Sequence, residues 1–377
     1  MKRILLAFFS IYSLMHAFIY SRVKVLLPPS VPLAAALVVF MAVMIFAPVG
    51  TRLLERTGRH RAALVSAFAG YCWLAFIFYC FCGFLLLDFV SALCGLLNFT
   101  ALFHLPDLTG ALPVVLVLAT AVCINIYGFF EARAVRVERF SLKSAKLPAG
   151  TDKVRIAQIS DVHLGIGAGE KRMARILRAV ESEKPDILVS TGDLIDGPLL
   201  ETEAVAALLS KLRPGLGMYA VTGNHEVFAG LDNALRTTKA LGFTVLRGEV
   251  WRVGNILNIV GVDDPATGCD GEEGKVLENS RNGLFTLLLK HRPLPAAGSL
   301  GLFDLQLSGH THYGQLFPFR YLVALAYPLQ NGPYNLSRGS VLYTSRGSGS
   351  WGPPVRVFAR PEVTLVEVSR ENNAAPD

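Results

Sequence analysis

Residues 154–163 read Val154-Arg155-Ile156-Ala157-Gln158-Ile159-Ser160-Asp161-Val162-His163. A short apolar run, Val154 to Ser160, has the character of a buried strand and stops where an Asp-x-His pair begins. The same punctuation recurs down the chain. Ile187–Thr191 runs into Gly192-Asp193, Gly217–Thr222 into Gly223-Asn224-His225-Glu226, Phe285–Lys290 into His291, and Leu305–Ser308 into Gly309-His310-Thr311-His312. Between the runs, Lys171–Lys184 carries Met173, Ile176, Leu177 and Val180 at helical spacing, and Thr202–Leu212 and Leu231–Leu241 are patterned alike. With two further strands expected at Val341–Thr344 and Val363–Val368, the region predicts a layered α/β domain.

Ligands of open α/β sheets gather at the carboxyl ends of strands, so strands that each end in Asp, His or Asn bring distant residues to one edge. Asp161, Asp193 and Asn224 are separated by 32 and 31 residues, about one strand-helix-strand unit each. Every histidine beyond His104 falls inside one of these motifs. A lone histidine at a strand end is ordinarily a satisfied polar residue and a lone aspartate there a cap or turn former, so the signal lies in the joint occurrence. Phosphate esters hydrolyse extremely slowly unaided. Two neighbouring cations remove that barrier by binding the phosphoryl oxygens and lowering the pKa of a bridging water. Imidazole and oxygen ligands suit Mn, Zn or Fe, and a set without thiolate argues against a purely structural zinc site.

Upstream, the chain changes character. Hydrophobic residues make up 52% of the whole, too many for a purely soluble protein. Residues 1–150 hold 13 Lys and Arg against 5 Asp and Glu, whereas residues 151–377 hold 23 against 24. The basic excess therefore belongs to the first part and points to a membrane surface rather than to nucleic acid. Ile4–Tyr20, Val31–Gly50, Ala62–Leu87 and Leu108–Phe130 contain no Asp, Glu, Lys or Arg and are each about long enough to cross ~30 Å of hydrocarbon. The first follows Met1-Lys2-Arg3 but has no small-residue cleavage site before Arg22, so it is read as a span rather than a signal peptide. Arg52, Arg56, Arg59 and Arg61 crowd one loop and Arg133, Arg136, Arg139, Lys143 and Lys146 follow the last span, while Arg22 and Lys24 alone mark the other side. The expectation is an N-terminus and a C-terminal domain both facing the cytoplasm. Phe89–Phe103, apolar but short, stands as a re-entrant or interfacial stretch that would reverse this if it crossed.

Five cysteines, Cys72, Cys80, Cys82, Cys94 and Cys123, lie in the apolar part as small fillers, and Cys269 alone lies beyond it, so a disulfide framework is excluded there. His16, His60 and His104 are read as packing, loop and interface residues. The tail Glu371–Asp377 is expected to fray.

The five blocks in order resemble the calcineurin-like metallophosphoesterase superfamily over about residues 150–370. The runs Gly309-His310-Thr311-His312-Tyr313-Gly314-Gln315, Ser345-Arg346-Gly347 and Trp351-Gly352-Pro353-Pro354 are similar to its membrane-associated bacterial branch. The resemblance implies a two-metal phosphoester hydrolase with two facing sheets flanked by helices. It implies that Asp161, His163 and His312 hold one metal, that Asp193 bridges, and that Asn224, His291 and His310 hold the other. His225 would remain free to steady developing charge or protonate the leaving oxygen. Asp196, Glu226, Asp263 and Asp264 stand as carboxylates of the surrounding shell or of loops.

The expected organisation is therefore transmembrane helices over 1–132, a basic juxtamembrane linker over 133–150, and an α/β/β/α two-sheet domain over 151–370. The cofactors would be two divalent or trivalent ions. The partners would be the lipid bilayer and a phosphoester substrate, for which the apolar Phe317–Tyr334 segment suggests a lipid-linked compound; no nucleic acid is expected. Arg346 and Trp351 are read as anion contacts or entrance residues, with a salt bridge as the other reading of Arg346. The alternative function is a metal-binding sensory or regulatory membrane protein without turnover. A transporter is disfavoured because the spans hold no acidic or basic residue for a substrate path.

Overall fold

The computed structural model describes residues 2–99, 108, 110–269 and 273–371. By contact the chain divides into two units, residues 1–130 with Gly352–Val355, and residues 131–351 with 356–377.

The first unit contains four helices, α1 (Lys2–Val23), α2 (Val31–Arg56), α3 (His60–Phe99) and α4 (Ala111–Glu131), each long and apolar enough to cross a membrane. Close packing is set by small residues: a Cβ added at Gly70 would meet the Ala47 Cβ at 2.8 Å, and one at Gly83 would meet Val117 at 2.8 Å. His16 is buried as expected of a packing residue, with Nδ1 2.8 Å from the Tyr12 carbonyl and the Trp73 Nε1 donating to its Nε2 at 2.9 Å. Two expectations change. Phe89–Phe99 is no separate stretch but the continuation of α3; residues 100–103, like His104 and the tail from 372, lie outside the described residues. Because α3 runs on without a break, it carries Asp88 inside it, paired with Arg22 at 2.6 Å, so these helices do hold an acidic side chain.

The second unit runs β1 (Arg136–Ser144), β2 (Lys153–Ile159), α5 (Glu170–Glu181), β3 (Ile187–Ser190), α6 (Thr202–Leu212), β4 (Met218–Ala220), α7 (Asn224–Ala229), α8 (Leu231–Ala240), β5 (Thr244–Val245), β6 (Glu249–Val253), β7 (Leu257–Gly261), α9 (Glu273–Glu278), β8 (Phe285–Leu289), β9 (Leu305–Ser308), α10 (Arg320–Ala326), β10 (Gly332–Asn335), β11 (Val341–Thr344) and β12 (Glu362–Arg370). The strands form two sheets, ordered β1-β12-β2-β3-β4-β5 and β10-β11-β9-β8-β7-β6.

Alternation along the strands explains the layers. In β2, Val154 and Ile156 face the core shared by both sheets, with Ile187, Val189, Leu257, Ile259, Leu287, Leu305 and Tyr343, whereas Ala157 and Ile159 face α5 and α6. Met173, Ile176, Leu177 and Val180 of α5 are all buried on that outer face. The second sheet is covered on its outside by Val276 and Leu277 of α9. The result is the α/β/β/α layering that the family resemblance implied.

The basic segment 136–144 is a strand rather than a linker. Its pairing partner β12 lies at the other end of the chain, running parallel with Val137 opposite Val363, and Phe140 and Leu142 pack on the shared core. The alternation of Phe140 and Leu142 is masked in sequence by Arg139 and Lys143, which lie on the opposite, exposed face, and by Arg136, exposed at the start of the strand.

Candidate metal centre

The two sheets deliver side chains from corresponding edges, each from the segment that follows a strand: β2 to Asp161 and His163, β3 to Asp193, β4 to Asn224 and His225 at the start of α7, β8 to His291, β9 to His310 and His312. Five of these residues hold left-handed backbone: Asp161 (φ 51°), His163 (φ 51°), Asp193 (φ 52°), His310 (φ 73°) and His312 (φ 47°). For residues with a Cβ this conformation costs on the order of 1–3 kcal/mol each and persists where the surroundings impose it. Each such turn lets a loop residue aim its side chain back across the sheet edge. The motif glycines allow the loops to close: a Cβ at Gly223 would lie 2.2 Å from Asp193 Oδ1, and one at Gly309 would lie 2.0 Å from Ser160 Oγ.

Asp161, His163 and His312 bring ligand atoms within 4.8 Å of one another, and so do Asp193, His291 and His310. His312 Nε2 is 3.4 Å from Asp161 Oδ1 and 3.0 Å from His163 Nε2, while His291 Nε2 is 3.2 Å from Asp193 Oδ2 and 3.1 Å from His310 Nδ1. Asp193 thus lies between two histidine pairs. Asn224 is buried, and its Oδ1 has no hydrogen-bond partner among the described residues. An amide oxygen left unpaired in the interior is costly, and a cation would satisfy it. The donor set of imidazole, carboxylate and amide oxygen therefore fits a pair of borderline-hard cations.

His225 is close as well. With His163 and Asp193 it forms a third group of ligand atoms within 4.8 Å, so distance alone does not separate it from the ligand candidates. What distinguishes it is Asp196, whose Oδ1 lies 2.6 Å from His225 Nδ1. Burial lowers the His225 pKa, but the hydrogen bond to Asp196 and the charge of Asp193 outweigh it and leave the net shift upward. Burial and the neighbouring His225 hold His163 well below its usual value, and burial and Arg356 do so for His312; burial and His291 bring His310 down to about 3. Neutral imidazoles are the form that binds cations. His291 differs: burial opposes its charge, yet the Asp193 carboxylate beside it raises its pKa to about 10.

The outer contacts fix the rings. His291 Nδ1 lies 2.8 Å from the Thr191 carbonyl, so it donates there and leaves Nε2 facing inward; His310 Nε2 lies 2.9 Å from the Tyr327 hydroxyl. Glu226 accepts from the backbone N–H groups of Asp193 (3.0 Å), Ile195 (2.9 Å) and Gly223 (2.7 Å), tying the β3 and β4 loops together, and burial raises its pKa to about 7. Of the other carboxylates, Asp263 pairs with Arg247 at 2.8 Å and Asp264 with Arg292 at 2.7 Å, both as loop ion pairs. Arg346 is held by Glu362 at 2.5 Å and by Glu138, which is the salt-bridge reading and not an anion contact. Trp351 sits with its ring 5.5 Å from that of His225 and half exposed, at the entrance.

Two residues escaped sequence reading. Arg356 is fully buried and donates Nε to Gly349 O (2.8 Å) and Nη1 to Arg346 O (2.9 Å) and Ala359 O (2.7 Å), and its Nη2 lies 3.0 Å from His312 Nδ1. Tyr327 closes the ring of His310. Arg356 lies two residues beyond the Trp351–Pro354 run and Tyr327 inside the apolar Phe317–Tyr334 segment, but neither belongs to a ligand motif that would have marked it.

A two-sheet α/β/β/α layer with histidine, aspartate and asparagine gathered at one edge defines the metallophosphoesterase class. The comparisons agree. The model of the family described as calcineurin-like phosphoesterase matches residues 154–314, beginning at the strand that ends in Asp161. An uncharacterized metallophosphoesterase of Aquifex aeolicus is 39% identical over 263 residues, 67% of this chain and 99% of that protein. A zebrafish (Danio rerio) protein named as a transmembrane protein with a metallophosphoesterase domain is 31% identical over 67% of this chain, and the match spans 62% of its own length. A dimetal phosphatase structure from Danio rerio aligns at 13% identity and a TM-score of 0.35 over 59% of this chain and 94% of that one. The chain belongs to the calcineurin-like phosphoesterase family.

Proposed function

We propose that this protein is a membrane-anchored, two-metal phosphoesterase that hydrolyses phosphoester or diphosphate bonds, lipid-linked substrates among them. The observation that carries the reading is the position of Asp193, whose Oδ2 is 3.9 Å from His163 Nε2, a member of one candidate ligand group, and 3.2 Å from His291 Nε2, a member of the other. Asp161, His163 and His312 would hold one cation, Asn224, His291 and His310 the other, and Asp193 both. Bound there, Mn, Zn or Fe would supply the Lewis acidity that lowers the pKa of a water and offsets charge on phosphoryl oxygens. His225 serves as proton donor to the leaving oxygen, with Asp196 fixing the ring so that Nε2 faces the substrate. Glu226 keeps the Asp193 and His225 loops in register, and Trp351 narrows the approach to His225.

The four apolar helices would anchor the enzyme in a bacterial inner membrane. The unbroken α3 supports an even number of crossings, and the Lys and Arg distribution supports a cytoplasmic catalytic unit. The test is hydrolysis of soluble aryl phosphomonoesters and phosphodiesters by full-length protein in detergent, loaded in turn with Mn, Zn and Fe. Metal-dependent turnover is expected, absent from Asp193→Ala. Two bound metals per chain without hydrolysis of any ester would instead establish the sensory reading. A reporter fused after Asp377 and active only outside the cytoplasm would overturn the orientation.

A further inference from the structure

Exposed apolar side chains are unevenly placed on the two-sheet unit. Of its ten described large hydrophobic residues that are exposed, four lie within 319–325: Phe319, Tyr321 (60%), Leu322 (60%) and Leu325 (83%). They belong to α10 and its N-cap, and α10 buries none of its own side chains. Val323 and Ala324 are half-buried and Gly314 lies close against the Arg320 backbone, so one side of the helix rests on the domain while Tyr321, Leu322 and Leu325 are left uncovered. It is tethered at its margins, beside the candidate metal centre. Tyr327, its C-cap, meets His310 at 2.9 Å, Gln330 Nε2 donates to the Arg320 carbonyl at 3.2 Å, and Thr311 Oγ1 donates to the Gln330 carbonyl at 2.8 Å. The Arg320 guanidinium lies over the rings of Tyr313, Phe317 and Tyr321 at 5.3, 5.0 and 5.1 Å.

One cation among aromatic rings, with leucines projecting beyond, is the composition of segments that lie in the interface of a bilayer: rings and guanidinium at headgroup level, aliphatic side chains below. The unit that carries α10 is joined to the apolar helices by a short connection. β1 begins at Arg136, five residues after α4 ends at Glu131, so its start lies within about 18 Å of the end of an apolar helix, at ~3.6 Å per residue. The inference rests on the proposal that α1–α4 cross a bilayer. We infer that α10 is a membrane-interface segment: Leu322 and Leu325 enter the acyl boundary, Arg320 and Tyr321 stay among anionic headgroups, and the mouth beside His310 opens at the level of lipid phosphoesters.

The test uses full-length protein reconstituted in vesicles of mixed zwitterionic and anionic phospholipid, with a photo-crosslinking benzophenone amino acid at 322, at 325, or at Trp251 on β6, the far edge of the second sheet from β10. Irradiation and peptide mass analysis should find lipid adducts at 322 and 325 and none at 251. Adducts at 325 to another copy of the chain, or no lipid adduct at either α10 position, would overturn the inference. A Leu322→Asp, Leu325→Asp double variant supplies the second arm. It should hydrolyse a soluble aryl phosphodiester at about the wild-type rate while losing about tenfold or more on a diacylglycerol phosphate in the same vesicles. Equal rates on the lipid ester would count against it. Wild-type protein inert toward every soluble ester would defeat the proposed function alone, since the adduct pattern is read without turnover.

Discussion

The two units turn their apolar side chains in opposite directions. In the helical unit many point outward, with Val31 83% and Leu6 71% exposed, although Ile77 and Phe84 are buried between helices; in the two-sheet unit Ile156, Leu287 and Leu305 are wholly buried, together with the polar Asp161, His291 and Arg356. The same hydrophobic effect operates in both. A helix satisfies its own backbone and so can present apolar side chains to lipid, whereas a sheet domain in water must hide them. Polar groups can be buried at the loop edge of that domain only if they satisfy one another or a cation. The difference teaches that a buried charge in this chain needs a partner, as Asp264 has in Arg292 and Glu362 in Arg346, and that the site is where buried polar groups gather at one edge instead of pairing singly.

The largest effect expected from breaking this arrangement is chemical. His225→Ala should lower kcat by about 10²- to 10⁴-fold while leaving bound metal per chain unchanged, as measured by turnover and elemental analysis. Loss of metal together with activity would place His225 among the ligands instead.

Leu287→Ala, in the core shared by the sheets, should destabilise the two-sheet unit by about 2–5 kcal/mol, read from denaturant unfolding of that unit. Burial on both sides leaves the site little freedom to collapse.

Val43→Asp, at an outward-facing position in the middle of α2, should reduce membrane insertion by about 2.5–3.5 kcal/mol in an insertion assay. No loss of insertion would mean that α2 faces water.

The smallest effect sharpens the role of Asp196. His225 has its pKa raised by that carboxylate against the opposing effect of burial. Its acid form is present below the folded-state pKa and is lost as pH rises through it. Asp196→Asn removes the raising partner, so the alkaline limb of the kcat profile should move to lower pH, with roughly a tenfold loss near neutrality. An unmoved limb would exclude His225 as the titrating acid.

Much of the fold was legible because local pattern and tertiary role coincide. Thr202–Leu212 shows its amphipathic face in sequence and forms α6 with the same bounds; Leu305–Ser308, where leucines alternate with Gln306 and Ser308, and the run Val341–Thr344 form β9 and β11 as read. The hairpin of β6 and β7 was missed because β6 is an edge strand that buries only Val253 and so carries little apolar pattern, even though Gly254 and Asn255 are turn residues. β1 was missed because its partner is more than two hundred residues away. In the site, the histidine motifs were visible as spacing, but Arg356 reaches His312 only through the folded tail.

The order of strand, Asp-x-His and glycine-bounded loop determined by itself which residues would meet at one edge, because strand ends and turn chemistry are local properties. Which groups surround them was decided by tertiary structure: Arg356 behind His312, Tyr327 behind His310, Asp196 behind His225, and the outward face of α10. Those contacts join segments distant in the chain, and each depends on burial, charge and reach that exist only once the two sheets have closed on each other.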